Sequence, residues 1–314
     1  MALLGSILKR PKVKWGLLAA LILLAVAYLA IAFFIAQGLT GAERNPQEGH
    51  PTDFGLEWED VAFHGRDQDV QLSGWYIPGR GQGVEDSPHV IFVHGLSSVR
   101  SGGEGEALEL ASRLVEEGYN LLLFDLRGHG SSEGDQISGG YFERWDVLGA
   151  YDYLVEEREA TAGKVGLMGY SMGGVTSILA AVEEQGIAAI VADSPFAAAT
   201  DLIVQEASRK TPFPSWLIPA FIPVTSLMAK AIYGIDIGAL NAEKAVMQLG
   251  YPLLIIHGEE DERVPIDHGE RVASAAQEGT IFWSTDAPGH VESFANYPDE
   301  YFRRVNQYFK ARLE

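Results

Sequence analysis

The chain has 314 residues, with 23 Lys and Arg against 43 Asp and Glu, and no cysteine. That length holds one large α/β domain or two small ones, and a 47% hydrophobic content can fill a core. A formal charge of −20 argues against a nucleic-acid partner, because phosphate binding needs a basic face, and the lack of cysteine removes disulfides, thiolate metal sites and cysteine nucleophiles.

The charge is unevenly spread. Lys9, Arg10, Lys12 and Lys14 are the only charged residues before Glu43, so the rest of the chain carries 19 basic against 43 acidic residues, a net −24. Residues 15–36 (WGLLAALILLAVAYLAIAFFIA) contain no charge. As a helix they cover roughly 33 Å, enough to cross a bilayer core. A cleaved signal peptide is the alternative, but its apolar region usually has about 7–15 residues, and only a weak small-residue site, Thr40-Gly41-Ala42, follows. An apolar surface on every face argues against a soluble core helix. The expected order is therefore a basic head (1–14), a transmembrane helix (15–36), a polar tether (37–53) and an acidic body (54–314). The positive-inside rule places the N-terminus in the cytoplasm and the body outside it, with the membrane as a partner through residues 15–36.

In the body, β-rich runs alternate with amphipathic ones. Strands are expected at 58–64, 70–77, 89–94, 120–125, 164–170, 188–193, 253–257 and 280–285. Continuous apolar runs such as VIFV, LLLF and LLII suit a parallel sheet covered on both faces. Helices are expected at 104–117, 142–157, 172–184, 268–277 and 298–312. The order predicts an α/β fold with a mostly parallel eight-stranded sheet, helices on both faces, and an antiparallel hairpin at its start. Residues 196–250 are too long for one crossover helix. Rich in Pro, aromatics and aliphatics, they read as a helical cap near the ligand crevice, or as a helical excursion packed on the body.

The most informative stretch is Gly169-Tyr170-Ser171-Met172-Gly173, a G-x-S-x-G where an apolar strand meets a helix. Small residues at Gly169 and Gly173 allow the tight turn that thrusts Ser171 outwards, and the helix N-terminus favours developing negative charge. The alternative is a glycine-rich turn with a capping serine. Together with His94-Gly95-Leu96-Ser97-Ser98, Asp125-Leu126-Arg127-Gly128-His129-Gly130, His257-Gly258-Glu259-Glu260-Asp261 and Gly289-His290, in that order, the chain resembles the α/β-hydrolase family, in its esterase and serine aminopeptidase-like branch.

A serine hydroxyl needs a base, and the base needs an acid to orient it. Of eight histidines, His50 and His64 precede the core, while His89, His94, His129, His257 and His268 belong to strands, turns or a helix start. His290 alone sits in a late loop, where the order Ser…Asp…His requires the base. Asp261 matches the family's acid loop, and Asp193, after another strand, is its rival. Asp125 reads as structural, holding the RGHG loop. The resemblance supplies the oxyanion donors, the backbone N–H groups of Met172 and Leu96. Arg100 and Tyr170 read equally as surface and packing residues.

The resemblance implies acyl transfer from an ester or thioester through an acyl-enzyme on Ser171, with no metal or organic cofactor. A serine peptidase is the runner-up, for which Glu206 could hold a substrate amine. A tethered binding module without chemistry is a third reading, and a lipase a fourth, against which the acidity of the body counts near anionic headgroups.

Overall fold

A computed structural model describes residues 11–42, 44–80 and 87–314. Residues 1–10 of the basic head, including Lys9 and Arg10, and Glu43 of the tether lie outside the described residues. The chain divides into two compact units: the residues up to Leu39 with Ile203–Asp236, and Thr40–Leu202 with Ile237–Glu314.

The first unit is built on α1 (Pro11–Thr40), of which Lys12–Thr40 is long and apolar enough to cross a membrane, with a mean hydropathy of 2.9 in its most apolar window. The helix extends past the expected 15–36. Its end is held by packing: a Cβ on Gly38 would lie 3.1 Å from Thr211 Cγ2 and 3.3 Å from the Lys210 carbonyl.

The second unit holds a sheet of β1 (Glu59–His64), β2 (Gln71–Ile77), β3 (His89–Val93), β4 (Asn120–Phe124), β5 (Val165–Tyr170), β6 (Ile187–Asp193), β7 (Leu254–Gly258) and β8 (Ile281–Thr285). Its order is β1-β2-β4-β3-β5-β6-β7-β8. β1 and β2 run antiparallel to their neighbours, and every other pairing is parallel. Side-chain alternation divides the core between the two faces. Ile91, Val93, Leu122 and Phe124 join one cluster with α3 (Glu143–Glu157) and α4 (Met172–Glu183). Val90, Phe92, Leu121 and Leu123 join the other, with α2 (Glu106–Glu116) and the C-terminal helix Pro298–Leu313. Fully buried strands with both faces covered explain the unbroken apolar runs.

The expected cap is smaller than 196–250. The segment contains α5 (Ala199–Lys210), α6 (Ile222–Tyr233) and α7 (Ala242–Val246), but only 203–236 separates into the first unit. Its flanks belong to the sheet unit: Ala198 bridges to Asn241, and Ala242 and Val246 are buried in the core. Beyond them, α8 (Ile266–Ala275), α9 (Ser293–Asn296) and α10 (Pro298–Leu313) complete the chain.

The stretch expected as a tether, 37–53, is instead a strap on the sheet unit from residue 44 onward. Arg44 donates to the carbonyls of Ser132 and Gly134, Asn45 Nδ2 to the Ser97 carbonyl at 2.8 Å, and Gln47 Nε2 to both Asp125 oxygens at 3.0 Å. Pro51 is buried in a turn over Pro51–Phe54. The polar composition that suggested solvation meets unsatisfied groups of the loops beneath it.

Candidate active site

The site grows from the parallel part of the sheet, because parallel strands bring their C-terminal ends to one edge. β3 pairs with β5 so that Val93 lies opposite Gly169, which sets the turn after β3 beside the turn after β5. β7 and β8 pair from Leu254↔Ile281 to Gly258↔Thr285, which brings their following loops together.

Ser171 stands between β5 and α4 with φ 52° and ψ −117°, a conformation that side-chain-bearing residues adopt only when the surroundings enforce it. Its N–H donates to the Asp193 carbonyl at 2.7 Å. The two glycines of the turn are sterically required. A Cβ on Gly173 would come within 2.0 Å of the Val93 carbonyl oxygen, and one on Gly169 within 2.5 Å of the Gly173 carbonyl oxygen.

His290, in the loop between β8 and α9, places Nε2 2.7 Å from Ser171 Oγ and Nδ1 2.7 Å from Asp261 Oδ2. With its proton on Nδ1, the ring donates to Asp261 and accepts from the serine hydroxyl. The other Asp261 oxygen accepts the backbone N–H groups of Arg263 and Val264, both at 2.9 Å. Burial pushes the Asp261 carboxyl upward, but the hydrogen bond and field of His290 and the Val264 N–H outweigh it and hold the group below the usual carboxylate range. The arrangement suits a carboxylate that stays charged and steadies an imidazolium.

The rival acid is engaged elsewhere. Asp193 is fully buried and accepts from Tyr301 Oη at 2.8 Å and Ser194 Oγ at 2.9 Å. Burial raises its carboxyl to about 6. Asp125 holds its loop as expected, accepting the N–H groups of Arg100 at 2.8 Å and Ser131 at 3.0 Å. His94 is a buried brace, accepting the Leu126 N–H on Nε2 at 3.0 Å, and burial lowers it to about 4.

A pocket of about 300 Å³ opens over Ser171 and His290. Phe92, Leu96 and Tyr170 give it apolar wall, while Arg100, Glu106 and Arg263 bring charge. Leu96 follows β3 and Met172 opens α4. Among the described residues, neither N–H is taken by a turn or loop carbonyl. Arg100, for which a surface position was one expectation, is 9% exposed and stacks 4.2 Å over the Trp75 ring.

Three features escaped sequence reasoning. The strap carrying Gln47 is one. Another is the buried Arg127–Asp146 pair, with Nη2 to Oδ1 at 2.6 Å, which braces the loop after β4. The third is Val291, at φ 64° just after His290, a β-branched residue with no sequence signal for that backbone. A further sign was available: the acidic Glu143 and Asp146 open α3, where buried carboxylates must serve N–H groups, and Glu143 accepts those of Ser138 and Gly140.

The sheet order and the strand–turn–helix elbow are those of the α/β-hydrolase fold, and the comparisons with known proteins make the chain a serine hydrolase of that fold. A family profile for X-Pro dipeptidyl-peptidase (S15 family) matches residues 48–221, and the chain belongs to that family. It is similar to an esterase of Pyrococcus furiosus, with 25% identity and a TM-score of 0.69, covering 87% of this chain and 100% of the esterase. Likeness to an acylaminoacyl peptidase of Pyrococcus horikoshii, at 19% identity and a TM-score of 0.59 over 81% of this chain and 41% of that one, concerns the fold alone. The Bacillus subtilis protein YqkD is 24% identical over 238 residues, 75% of each chain. The human protein ABHD12B is 29% identical over 225 residues, 70% of this chain and 58% of the relative.

Proposed function

We propose that the chain is a membrane-anchored serine hydrolase that cleaves ester or thioester bonds through an acyl-enzyme on Ser171. The observation that carries this is the unbroken contact from Ser171 through His290 to Asp261, 2.7 Å at each step, opening on a pocket. His290 takes the Ser171 proton as Oγ attacks the carbonyl carbon. The resulting oxyanion is met by the N–H groups of Leu96 and Met172, the second backed by the dipole of α4. Collapse breaks the bond to the leaving group, which departs with the proton from His290. Water, deprotonated by the same ring, then frees the acid and restores Ser171. Asp261 keeps the ring in the required tautomer and stabilises its cationic form.

A peptidase reading is favoured by the family match over 48–221 and differs only in the leaving group. Glu206 belongs to the helical unit, and the carboxylates lining the pocket are Glu106 and Glu292. Side-by-side turnover of p-nitrophenyl esters and aminoacyl p-nitroanilides decides: ester turnover with no anilide cleavage above the Ser171→Ala background supports the esterase, and Ser171-dependent anilide cleavage replaces it with the peptidase. Ser171→Ala is expected to abolish labelling by a fluorophosphonate probe and to lower hydrolysis by at least about 10³-fold. Labelling that persists in the variant removes Ser171 from the mechanism.

A further inference from the structure

The helical unit has its own core, formed by α1 and the insert. Ala32 and Ile35 are fully buried against Ala207, Ile218 and Phe221. Tyr28 stacks on Phe221 with ring centres 4.8 Å apart, and its Oη donates to the Ala220 carbonyl at 2.6 Å. Thr225 Oγ1 donates to the Ala32 carbonyl at 3.3 Å. The insert is thus fixed to a stretch of α1 that runs from Tyr28 to Gly38.

That stretch overlaps the uncharged segment 15–36. Tyr28 lies eight residues before Ala36, which on a helix is about 12 Å of depth. A bilayer core is about 30 Å thick and needs roughly 20 apolar residues to cross it. If α1 spans the membrane, the insert residues bonded to Tyr28 and Ala32 cannot remain in water above the headgroups. They are carried below the surface with the helix.

The composition and surface of the insert suit that position. Residues 211–229 contain no charge, and Arg209, Lys210 and Lys230 flank them. Trp216 is 78% exposed, Leu227 65% and Ile232 54%, a group of large apolar side chains in one small unit. Tryptophan and lysine are the residues that gather at a membrane interface, and amphipathic insertions bury about 5–10 Å into it. Two backbone carbonyls at this depth accept side-chain donors inside the unit, Ala220 from Tyr28 and Ala32 from Thr225, which suits an apolar surrounding.

We infer that residues 203–236 are seated in the outer membrane leaflet beside α1, with Trp216, Leu227 and Ile232 against lipid, so that the protein holds the bilayer by a helix and a wedge together. The partner is a lipid acyl-chain layer under zwitterionic headgroups, since the −24 charge beyond residue 42 disfavours an anionic surface. This rests on the reading of α1 as an anchor, and the experiment separates the two.

The chain contains no cysteine, so single cysteines can be placed in the full-length protein without a background. Trp216→Cys, Leu227→Cys and Ile232→Cys are spin-labelled in phosphatidylcholine nanodiscs, with Leu21→Cys in α1 and the exposed Glu278→Cys as references. Variants that still take a fluorophosphonate probe are scored. The expected result is an oxygen-to-nickel accessibility ratio severalfold above that of position 278 at all three insert positions, and below that of position 21. Water-like ratios at the insert with a lipid ratio at 21 overturn the inference and leave the anchor standing. Water-like ratios at 21 as well overturn both. Strong dipolar broadening between labels on separate copies, without lipid accessibility, overturns it in favour of self-association. Trp216→Phe needs no label: in brominated phosphatidylcholine it is expected to lose part of the tryptophan quenching that the native chain shows.

Discussion

His89 shows how a single buried side chain couples the fold to pH. It is 3% exposed at the start of β3, with Nε2 3.3 Å from Tyr76 Oη, and burial lowers it to about 4. The unfolded chain binds a proton at this residue below about pH 6.5, whereas the folded chain resists until about pH 4. The contribution of His89 to stability is therefore complete above the unfolded value and is lost as pH falls through that window. His89→Gln, which cannot titrate, is expected to lose less stability between pH 7 and pH 4 than the native protein, by on the order of 2 kcal/mol. Thermal melts of both proteins across the range measure it, and parallel curves count against His89 as the source. Asp261 behaves in the ordinary carboxylate sense: held low, its contribution is present at neutral pH and fades only as pH falls through its own range.

At the scale of the element, the elbow depends on close backbone approach rather than on the serine alone. β3, β5 and α4 converge where Gly173 meets the carbonyls of Val93 and His94, at 2.0 and 2.5 Å from an added Cβ. Those atoms are backbone in a central strand and its turn, so they cannot swing aside. Gly173→Ala is expected to destabilise the body by about 3 kcal/mol or more and to abolish probe labelling of Ser171. A variant with an unchanged melting temperature and full labelling would show that the turn can relax. The strap acts at the same scale. Gln47 meets Asp125, which also holds the N–H groups of Arg100 and Ser131, so the segment leading out of α1 is tied to the loops that frame the pocket.

For the whole molecule, the division of charge governs where each part can reside. The uncharged segment 15–36 of α1 suits lipid, and the body beyond residue 42, apart from the insert, carries an excess of acids that suits water. Leu21 and Leu24, 64% and 67% exposed, present their side chains outward from α1. Leu21→Arg combined with Leu24→Arg adds about 2.5–3.5 kcal/mol of insertion cost per residue near the helix centre. The native chain is expected to stay in the membrane pellet after alkaline carbonate, and the double variant to move to the supernatant. A native chain that is itself extracted removes the anchor. For the orientation, a membrane-impermeant fluorophosphonate added to intact cells should label Ser171, and protection of the serine would reverse the topology.

Much of this was legible along the chain because its causes are local. Apolar runs near the spacing of β3, β4, β5 and β7 placed the strands. The tight turn demanded Gly169 and Gly173 around Ser171, and the late loop singled out His290. These depend on backbone sterics and hydrophobic period, which neighbouring residues determine by themselves. Partnerships across long separations were not legible. Gln47 and Asp125 are 78 residues apart, and Tyr28 and Ala220 are 192 apart. Polar residues at 44–48 carry the same composition whether solvated or serving buried loops, and the Pro-rich insert reads alike as a cap or as a helical excursion packed on the body. Only the tertiary structure, by satisfying donors and burying faces that sequence leaves open, made the first a strap and gave the second a core shared with α1.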